Sequence, residues 1–172
     1  LEALIQSHPE QFACVILEPA ATECPSVGAS TGCCGQAICT RNFCGEQPNY
    51  LQQVQALCKK HGIVFILDET ITGFRWHMKG AQHVHGVQPD LSTFGKAMAN
   101  GYPIGAVTGK ADIMKEGEKN VFISSTFFPN SLSYVAALKT IEILERDKIL
   151  EQIWGKGKWF IDQVNLLCKK YK

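Results

Sequence analysis

Two apolar runs rich in valine and isoleucine constrain the fold of this chain more than any other feature. They are ACVILEP at residues 13–19 and GIVFILDE at residues 62–69, and each ends at a carboxylate. Continuous apolar runs of this length are typical of strands that are buried on both faces of a parallel sheet. We therefore expect two parallel strands with acidic side chains at their carboxyl ends.

The residues between these runs predict a helix. In NYLQQVQALCKKHG, residues 49–62, apolar side chains recur at helical spacing, lysines occupy the last turn and Gly62 is the stop. A strand, loop, helix and strand joined by a right-handed crossover form the unit of an α/β sheet. The expected fold class is therefore α/β, with a mainly parallel sheet and flanking helices.

The second half of the chain predicts one more strand and three helices. The strand is IGAVTG, and a short helix follows it in ADIMKEG. Asn130 or Ser131 can cap the next helix, which covers SLSYVAALKTIEILERD. A last helix is expected to continue to Lys172 and to be weakened at Gly155 and Gly157.

Charge and hydropathy exclude several classes of partner. The 172 residues contain 17 basic and 16 acidic side chains, a net charge of +1. Without a basic stripe, nothing favours binding to nucleic acid or to an anionic membrane. No apolar run approaches the roughly 18 residues of a membrane span, and the start lacks a signal-peptide pattern. We expect a cytoplasmic protein that binds a small molecule or another chain, and a fragment of something longer, since no methionine begins it.

Eight cysteines are many for a cytoplasmic chain, and five of them are crowded into a loop at about residues 20–47. Their spacing matches no C-x-x-C zinc or iron-sulfur pattern, so free thiols are favoured over a metal site. A metal-binding or redox-sensing loop is the alternative. Its ligands would come from Cys24, Cys33, Cys34, Cys39 and Cys44.

Lys96 is the only charged residue between Asp90 and Lys110, among glycines and small or apolar side chains. A lysine held in an apolar pocket is desolvated, which lowers the pKa of its ammonium as a Schiff-base lysine requires. The alternative is a loop lysine whose ammonium reaches water. Asp68 lies at the carboxyl end of a predicted strand, where open α/β sheets bind ligands, although a turn or cap role is also possible there.

Four motifs, taken in order along the chain, resemble the class III pyridoxal-phosphate-dependent aminotransferases of fold type I, especially the glutamate-1-semialdehyde aminomutase branch. The resemblance implies that residues 1–172 are part of the large cofactor-binding domain, without its N-terminal part and the small C-terminal domain. It also implies a homodimer that acts on a small amino, keto or semialdehyde substrate. The motifs are EPA at 18–20, LDETITGFR at 67–75, GVQPDLSTFGKAMANGYPIGAVTGK at 86–110 and SSTFFPNSLSYVAAL at 124–138.

The resemblance also implies roles for five residues. Lys96 matches the lysine that holds pyridoxal phosphate as a Schiff base and then moves a proton, and Asp68 matches the partner of the pyridine nitrogen. Thr126 matches a threonine that reaches the cofactor phosphate of the neighbouring subunit. Thr70 lies where the family usually has a valine against the cofactor ring. Glu23 matches a substrate gate of some omega-aminotransferases, with a turn role as the alternative.

Other interpretations stay open. The same lysine and aspartate would serve a pyridoxal-phosphate-dependent racemase or decarboxylase, and an inactive scaffold could serve for dimerisation or carry a responsive cysteine loop. We expect Arg75 to be structural. His77, His83 and His85 form a short cluster that is more typical of a solvated loop than of a metal site.

Overall fold

The computed structural model describes residues 1–20, 48–128 and 130–171. Strands and helices alternate through most of this length, which confirms the predicted α/β class. In chain order, the elements are α1 (Glu2–Ser7), β1 (Cys14–Leu17), α2 (Tyr50–His61), β2 (Val64–Asp68), α3 (Ala81–His85), β3 (Leu91–Phe94), a 3-10 turn (Lys96–Met98), β4 (Ala106–Gly109), α4 (Ala111–Asn120), α5 (Ser131–Arg146) and α6 (Ile149–Lys170).

The strands form one sheet in the order β1-β2-β3-β4. The pairs β1–β2 and β2–β3 are parallel, whereas β3–β4 is antiparallel. The prediction of a mainly parallel sheet is therefore confirmed. Register matters for the site, because Asp68 at the end of β2 lies opposite Thr93 of β3.

Helix α2 has the ends that the sequence predicts. Asn49 and Gln52 form a capping box, in which each side chain accepts a hydrogen bond from the other's backbone N–H at 3.0 Å. Gly62 ends the helix in the left-handed conformation, with φ of 67°. The buried face of α2 packs on one side of the sheet. The members of that core are Ile5, Leu51, Val54, Cys58, Ile63, Phe65, Leu67 and Val87.

The expectation that both apolar runs are buried on both faces is wrong for the described residues. Burial alternates along β1 and β2, and Ile16 is 58% exposed. The physical reason is that β1 is an edge strand of the described sheet and α2 covers only one face. An alternating pattern of burial is what a sheet covered on one side produces.

The second-half helices largely follow the prediction. Asn130 caps α5, because its side chain accepts hydrogen bonds from the N–H groups of Leu132 and Ser133. Helix α6 runs through Gly155 and Gly157 without a break, as the predicted continuous helix requires, while its weakening at these glycines stays a prediction. A helical glycine costs about 1 kcal/mol, which a helix of 22 residues can absorb. Within the described ranges, no helix combines the length and apolar content needed to cross a membrane.

Helix α6 is tied to the loop that follows β2. The indole N–H of Trp154 donates a hydrogen bond to the carbonyl of Arg75 at 3.1 Å. The ring of Trp154 also meets the ring of Trp76 edge-on, with centroids 6.5 Å apart. The backbone contact gives Arg75 a place in the packing of this loop, while its predicted structural role stays a prediction.

Candidate active site

The carboxylate of Asp68 stands at the carboxyl end of β2, half-buried and held by two donors. Its Oδ1 accepts a hydrogen bond from the backbone N–H of Thr70 at 2.9 Å and another from the hydroxyl of Thr93 at 2.8 Å. The side chain of Thr70 contributes most to a lowered pKa of Asp68, which burial opposes and which Thr93 and the charge of Lys96 reinforce. The carboxylate is therefore anionic at neutral pH.

Lys96 lies three residues beyond Thr93 on the same chain segment, close enough for its charge to act on Asp68. It opens the 3-10 turn with a left-handed backbone, φ of 39°, which is uncommon for a residue with a side chain. Its neighbours Ala97 and Met98 are buried and anchor that turn. Such backbone geometry costs on the order of 1 kcal/mol and often marks functional positions.

Of the two interpretations of Lys96, the described chain fits the loop lysine that reaches water, because Lys96 is exposed. The small and apolar residues after it are buried, but they anchor the backbone and leave the lysine side chain in solvent. An isolated charge in the sequence therefore identifies the position of this lysine without fixing the burial of its ammonium.

Thr70 completes the group of site residues that the structure brings together. Besides its bonds to Asp68, its Cγ2 methyl lies 3.5 Å from the point where a Cβ on Gly95 would stand. The structure therefore brings Asp68, Thr70 and Lys96 together at one edge of the sheet, while their predicted roles stay predictions.

The structure does not bring the other two predicted site residues into this group. Thr126 lies exposed between α4 and α5, and no hydrogen bond or ion pair among the described residues joins it to Asp68, Thr70 or Lys96. Glu23 lies outside the described residues, as do the five clustered cysteines. Their predicted roles stay predictions.

Glu69, next to Asp68, is fully buried and has all of its bonding inside the protein. Its Oε2 accepts hydrogen bonds from the Thr72 hydroxyl at 2.9 Å and from Ala81 N–H at 2.6 Å. Its Oε1 accepts a third bond from Gln82 N–H at 2.7 Å. Gly80 makes room for this carboxylate, since a Cβ there would stand 2.5 Å from Oε1. Glu69 thus fixes the start of α3 against the end of β2.

The histidine cluster does not form a metal site. Among the described residues, no group of three or more His, Cys, Asp or Glu side chains is arranged to hold a metal ion. The rings of His77 and His83 stack with centroids 4.1 Å apart, while His85 is buried beside Trp76. Burial lowers the pKa of His85 to about 4, so its ring is neutral at physiological pH.

Sequence reasoning missed Thr93. The segment LSTF is short and half polar, so its pattern is a weak signal for a strand. Without β3, nothing in the sequence pairs Thr93 with Asp68. The available signal was its place between the Pro-Asp turn and Gly95, where a β-branched and aromatic tetrapeptide favours an extended conformation.

The chain is similar to known proteins along its whole length. A family model described as Aminotransferase class-III matches residues 1–172. The 3-aminobutyryl-CoA aminotransferase of Cloacimonas acidaminovorans (strain Evry) is 44% identical over 170 residues, covering 99% of this chain and 37% of that protein. The glutamate-1-semialdehyde 2,1-aminomutase of Methanococcus maripaludis (strain C6 / ATCC BAA-1332) is 34% identical over 170 residues, covering 98% of this chain and 36% of that protein. The chain thus spans little more than a third of these curated relatives.

Solved structures share the fold. The acetylornithine aminotransferase of Elizabethkingia anophelis superposes with a TM-score of 0.73 at 28% identity, covering 98% of this chain and 40% of that one. The ornithine aminotransferase of Toxoplasma gondii, described with partial occupancy of PLP at its active site, superposes with a TM-score of 0.64 at 26% identity. That match covers 87% of this chain and 32% of the other. These likenesses confirm the predicted resemblance and fold class.

Proposed function

We propose, from the premise that this chain belongs to the class III aminotransferase family, that the protein containing it uses pyridoxal phosphate to transfer amino groups as an aminotransferase or aminomutase. The observation that carries the proposal is the meeting of Asp68 and Lys96 at one edge of the sheet. Ligands of open α/β sheets bind at this edge, beyond the carboxyl ends of the strands.

The residues present fit the two reactive positions of pyridoxal phosphate. Asp68 would offer an anionic carboxylate to the protonated ring nitrogen, and its hydrogen bonds from Thr70 N–H and from the Thr93 hydroxyl both end on Oδ1. Lys96 offers an exposed primary amine to the aldehyde carbon. When bound, the cofactor serves as an electron sink for the carbon that loses its proton. Contact of Thr70 with the cofactor ring stays a prediction of the family resemblance.

Lys96 would have two roles in this reaction. Its amine would hold the cofactor covalently in the resting enzyme. Once free, Nζ would accept the proton of the substrate carbon as a general base and donate it again as a general acid. The anionic Asp68 keeps the ring nitrogen protonated while this proton moves.

A homodimer would complete the site. The segment around Thr126 exposes large apolar side chains, including Phe122, which is 91% exposed, and Phe127, which is 61% exposed. Exposed apolar surface of this kind favours a protein partner. We propose that a second copy covers this segment and that Thr126 reaches the cofactor phosphate bound there. Diluting the full-length protein below its dimer dissociation constant should weaken cofactor binding, whereas a monomer of unchanged cofactor affinity would contradict the dimer.

The domain assignment and the substrate class belong to the same proposal. Residues 1–172 would form part of the large cofactor-binding domain, which agrees with the share of each relative that the chain covers. The substrates would be small amino, keto or semialdehyde compounds, such as the glutamate semialdehyde in the name of one relative, whereas the name of the other gives a coenzyme A thioester of an amino acid. Location in the cytoplasm stays a prediction of the sequence.

The test is the visible absorbance of bound cofactor in the full-length protein. Wild type mixed with pyridoxal phosphate should show this band, and Lys96→Ala should not. Lys148→Ala is the matched control, because Lys148 is also an exposed lysine with a left-handed backbone, φ of 49°, but lies between α5 and α6. An unchanged band in Lys96→Ala would refute the assignment.

A second assay separates aminotransfer from the racemase and decarboxylase alternatives. A panel of amino donors is offered together with a keto acid, and the keto product of each donor is measured. An aminotransferase yields that product and moves nitrogen to the acceptor. Racemisation or loss of carbon dioxide without nitrogen transfer would favour the alternatives.

A further inference from the structure

The hydroxyl of Thr93 holds the carboxylate of Asp68 from the neighbouring strand. We propose that Thr93 is a positioning residue, which fixes the Asp68 carboxylate in the orientation that binds the ring nitrogen of the cofactor. This inference rests on the proposed function of the site. It adds a residue of β3 to a constellation that otherwise consists of Asp68, Thr70 and Lys96.

The geometry leaves the carboxylate little freedom. Thr93 Oγ1 lies 2.8 Å from Asp68 Oδ1, and the backbone N–H of Thr70 reaches the same oxygen at 2.9 Å. One donor comes from the residue two places further along the chain and the other from the adjacent strand. Two donors that converge on one oxygen restrict the rotation of the carboxylate, and the side chain of Thr70 adds a further interaction with it.

Thr93 is itself a rigid donor, because its backbone is fixed on both sides. Its carbonyl accepts a hydrogen bond from the N–H of Glu69 at 2.9 Å, and it pairs with Val107 of the antiparallel strand β4. Lys96 follows three residues later on the same segment. The position of β3 therefore sets the orientation of the acid and the start of the turn that carries the lysine.

Loss of the hydroxyl would act through Asp68. A hydrogen bond to a charged acceptor is among the stronger ones in proteins, and without it the carboxylate gains rotational freedom. We expect Thr93→Val to weaken the binding of pyridoxal phosphate by about 10-fold. Thr93→Ser keeps the hydroxyl and should bind within about twofold of wild type.

The experiment uses the full-length protein and a control from the neighbouring strand. Thr108→Val makes the same substitution at an exposed position of β4, opposite Ser92 and away from Asp68. Three quantities are measured for each variant: the dissociation constant of pyridoxal phosphate, the protonated fraction of its ring nitrogen by ¹⁵N NMR at one alkaline pH, and the pKa of Asp68 by ¹³C NMR without cofactor. Circular dichroism verifies folding.

The proposal predicts one pattern. Thr93→Val raises the pKa of Asp68, lowers the protonated fraction of the ring nitrogen and weakens binding, while Thr93→Ser and Thr108→Val match wild type. A Thr93→Val protein with wild-type affinity and ring protonation overturns the positioning role while leaving the proposed function intact. A wild-type protein that binds no pyridoxal phosphate overturns both. If Thr93→Val misfolds, the same three measurements on Thr93→Ala, with Thr108→Ala as control, decide the question.

Discussion

The two ends of strands β2 and β3 each carry an aspartate, and the two carboxylates are held in different ways. At the amino end, Asp90 uses both oxygens: Oδ2 accepts a hydrogen bond from Phe65 N–H at 2.7 Å, and Oδ1 pairs with the ammonium of Lys110. At the carboxyl end, the hydrogen bonds that Asp68 accepts from Thr70 N–H and from the Thr93 hydroxyl end on Oδ1, and the Thr70 side chain also acts on this carboxylate. Asp90 has its charge paired with a lysine of the same chain, whereas Asp68 forms no ion pair among the described residues.

This difference between two aspartates fits a structural role for Asp90 and the proposed functional role for Asp68. Asp90 joins the start of β2 to the end of β4, and its own backbone N–H and C=O bond to Phe65 and Lys110. Asp68 bonds to the turn at Thr70 and to the Thr93 hydroxyl of β3. A lowered pKa is common to both aspartates, so ionisation alone does not identify the functional one. What distinguishes them is that Asp90 forms an ion pair, with Lys110, whereas Asp68 forms none among the described residues.

The strongest test of this comparison makes the same substitution, aspartate to asparagine, at both ends of the strands. Asp68→Asn in the full-length protein should lower kcat by on the order of 10²–10³-fold, because an amide cannot hold the ring nitrogen protonated. The free energy of unfolding should change by less than about 1 kcal/mol, since the amide oxygen still accepts both bonds. Amino-transfer kinetics and denaturant titration measure the two quantities.

Asp90→Asn should give the opposite result. The unfolding free energy should fall by about 1–2 kcal/mol, because the Lys110 pair and a charge-assisted bond to Phe65 N–H are weakened. Its kcat should stay within about twofold of wild type. If Asp90→Asn loses turnover while Asp68→Asn keeps it, the assignment of the two ends is reversed.

Glu69 extends the comparison, since its carboxylate is fully buried and hydrogen-bonded within the chain, next to the half-buried Asp68. Glu69→Gln should destabilise the fold by about 2–4 kcal/mol, because an amide N–H₂ would face donors that now bond to a buried carboxylate. Thermal unfolding measures this loss. Glu116→Gln on the exposed face of α4 is the matched control and should be neutral within about 0.5 kcal/mol. Equal stability of the two variants would contradict the role given to Glu69.

The smallest expected effect is a dependence of the free energy of unfolding on pH. For Asp90, burial raises the pKa, but the hydrogen bonds from Lys110 and Phe65 N–H outweigh burial and the net pKa is lowered. The unfolded chain then takes up the proton first, so this contribution is present near neutral pH and is lost as pH falls below about 5. The free energy of unfolding, measured from neutral to acid pH, should depend less on pH in Asp90→Asn than in wild type. If the unfolding free energy changes with pH by the same amount in wild type and Asp90→Asn, the contribution assigned to Asp90 is contradicted.

The sequence predicts those parts of the fold whose patterns are long and locally consistent. The runs around β1 and β2 and the capped, amphipathic α2 are found where the residues indicate them. Strand β3 is missed because four residues of mixed polarity carry almost no periodic signal. The antiparallel pairing of β4 is missed for another reason, since strand direction depends on the tertiary path of the loop at residues 95–105.

The site likewise contains residues that the sequence predicts and residues that it does not. Asp68 and Lys96 can be found from sequence because a carboxylate at a strand end and an isolated lysine are conspicuous in one dimension. Thr93 cannot, because its role exists only through the register of two strands. The burial of Glu69 and the exposure of Lys96 likewise depend on which side chains pack around them, and composition does not determine that.

The central claim is that the carboxyl end of β2 and β3 is the cofactor site and that Lys96 is the residue bound to the cofactor. The most direct measurement is to treat the full-length protein with pyridoxal phosphate, reduce the covalent link with borohydride, and locate the modified residue by peptide mass spectrometry. We expect the reduced cofactor on Lys96. A modification confined to another lysine, such as Lys110 or Lys148, or no modification at all, would contradict the account.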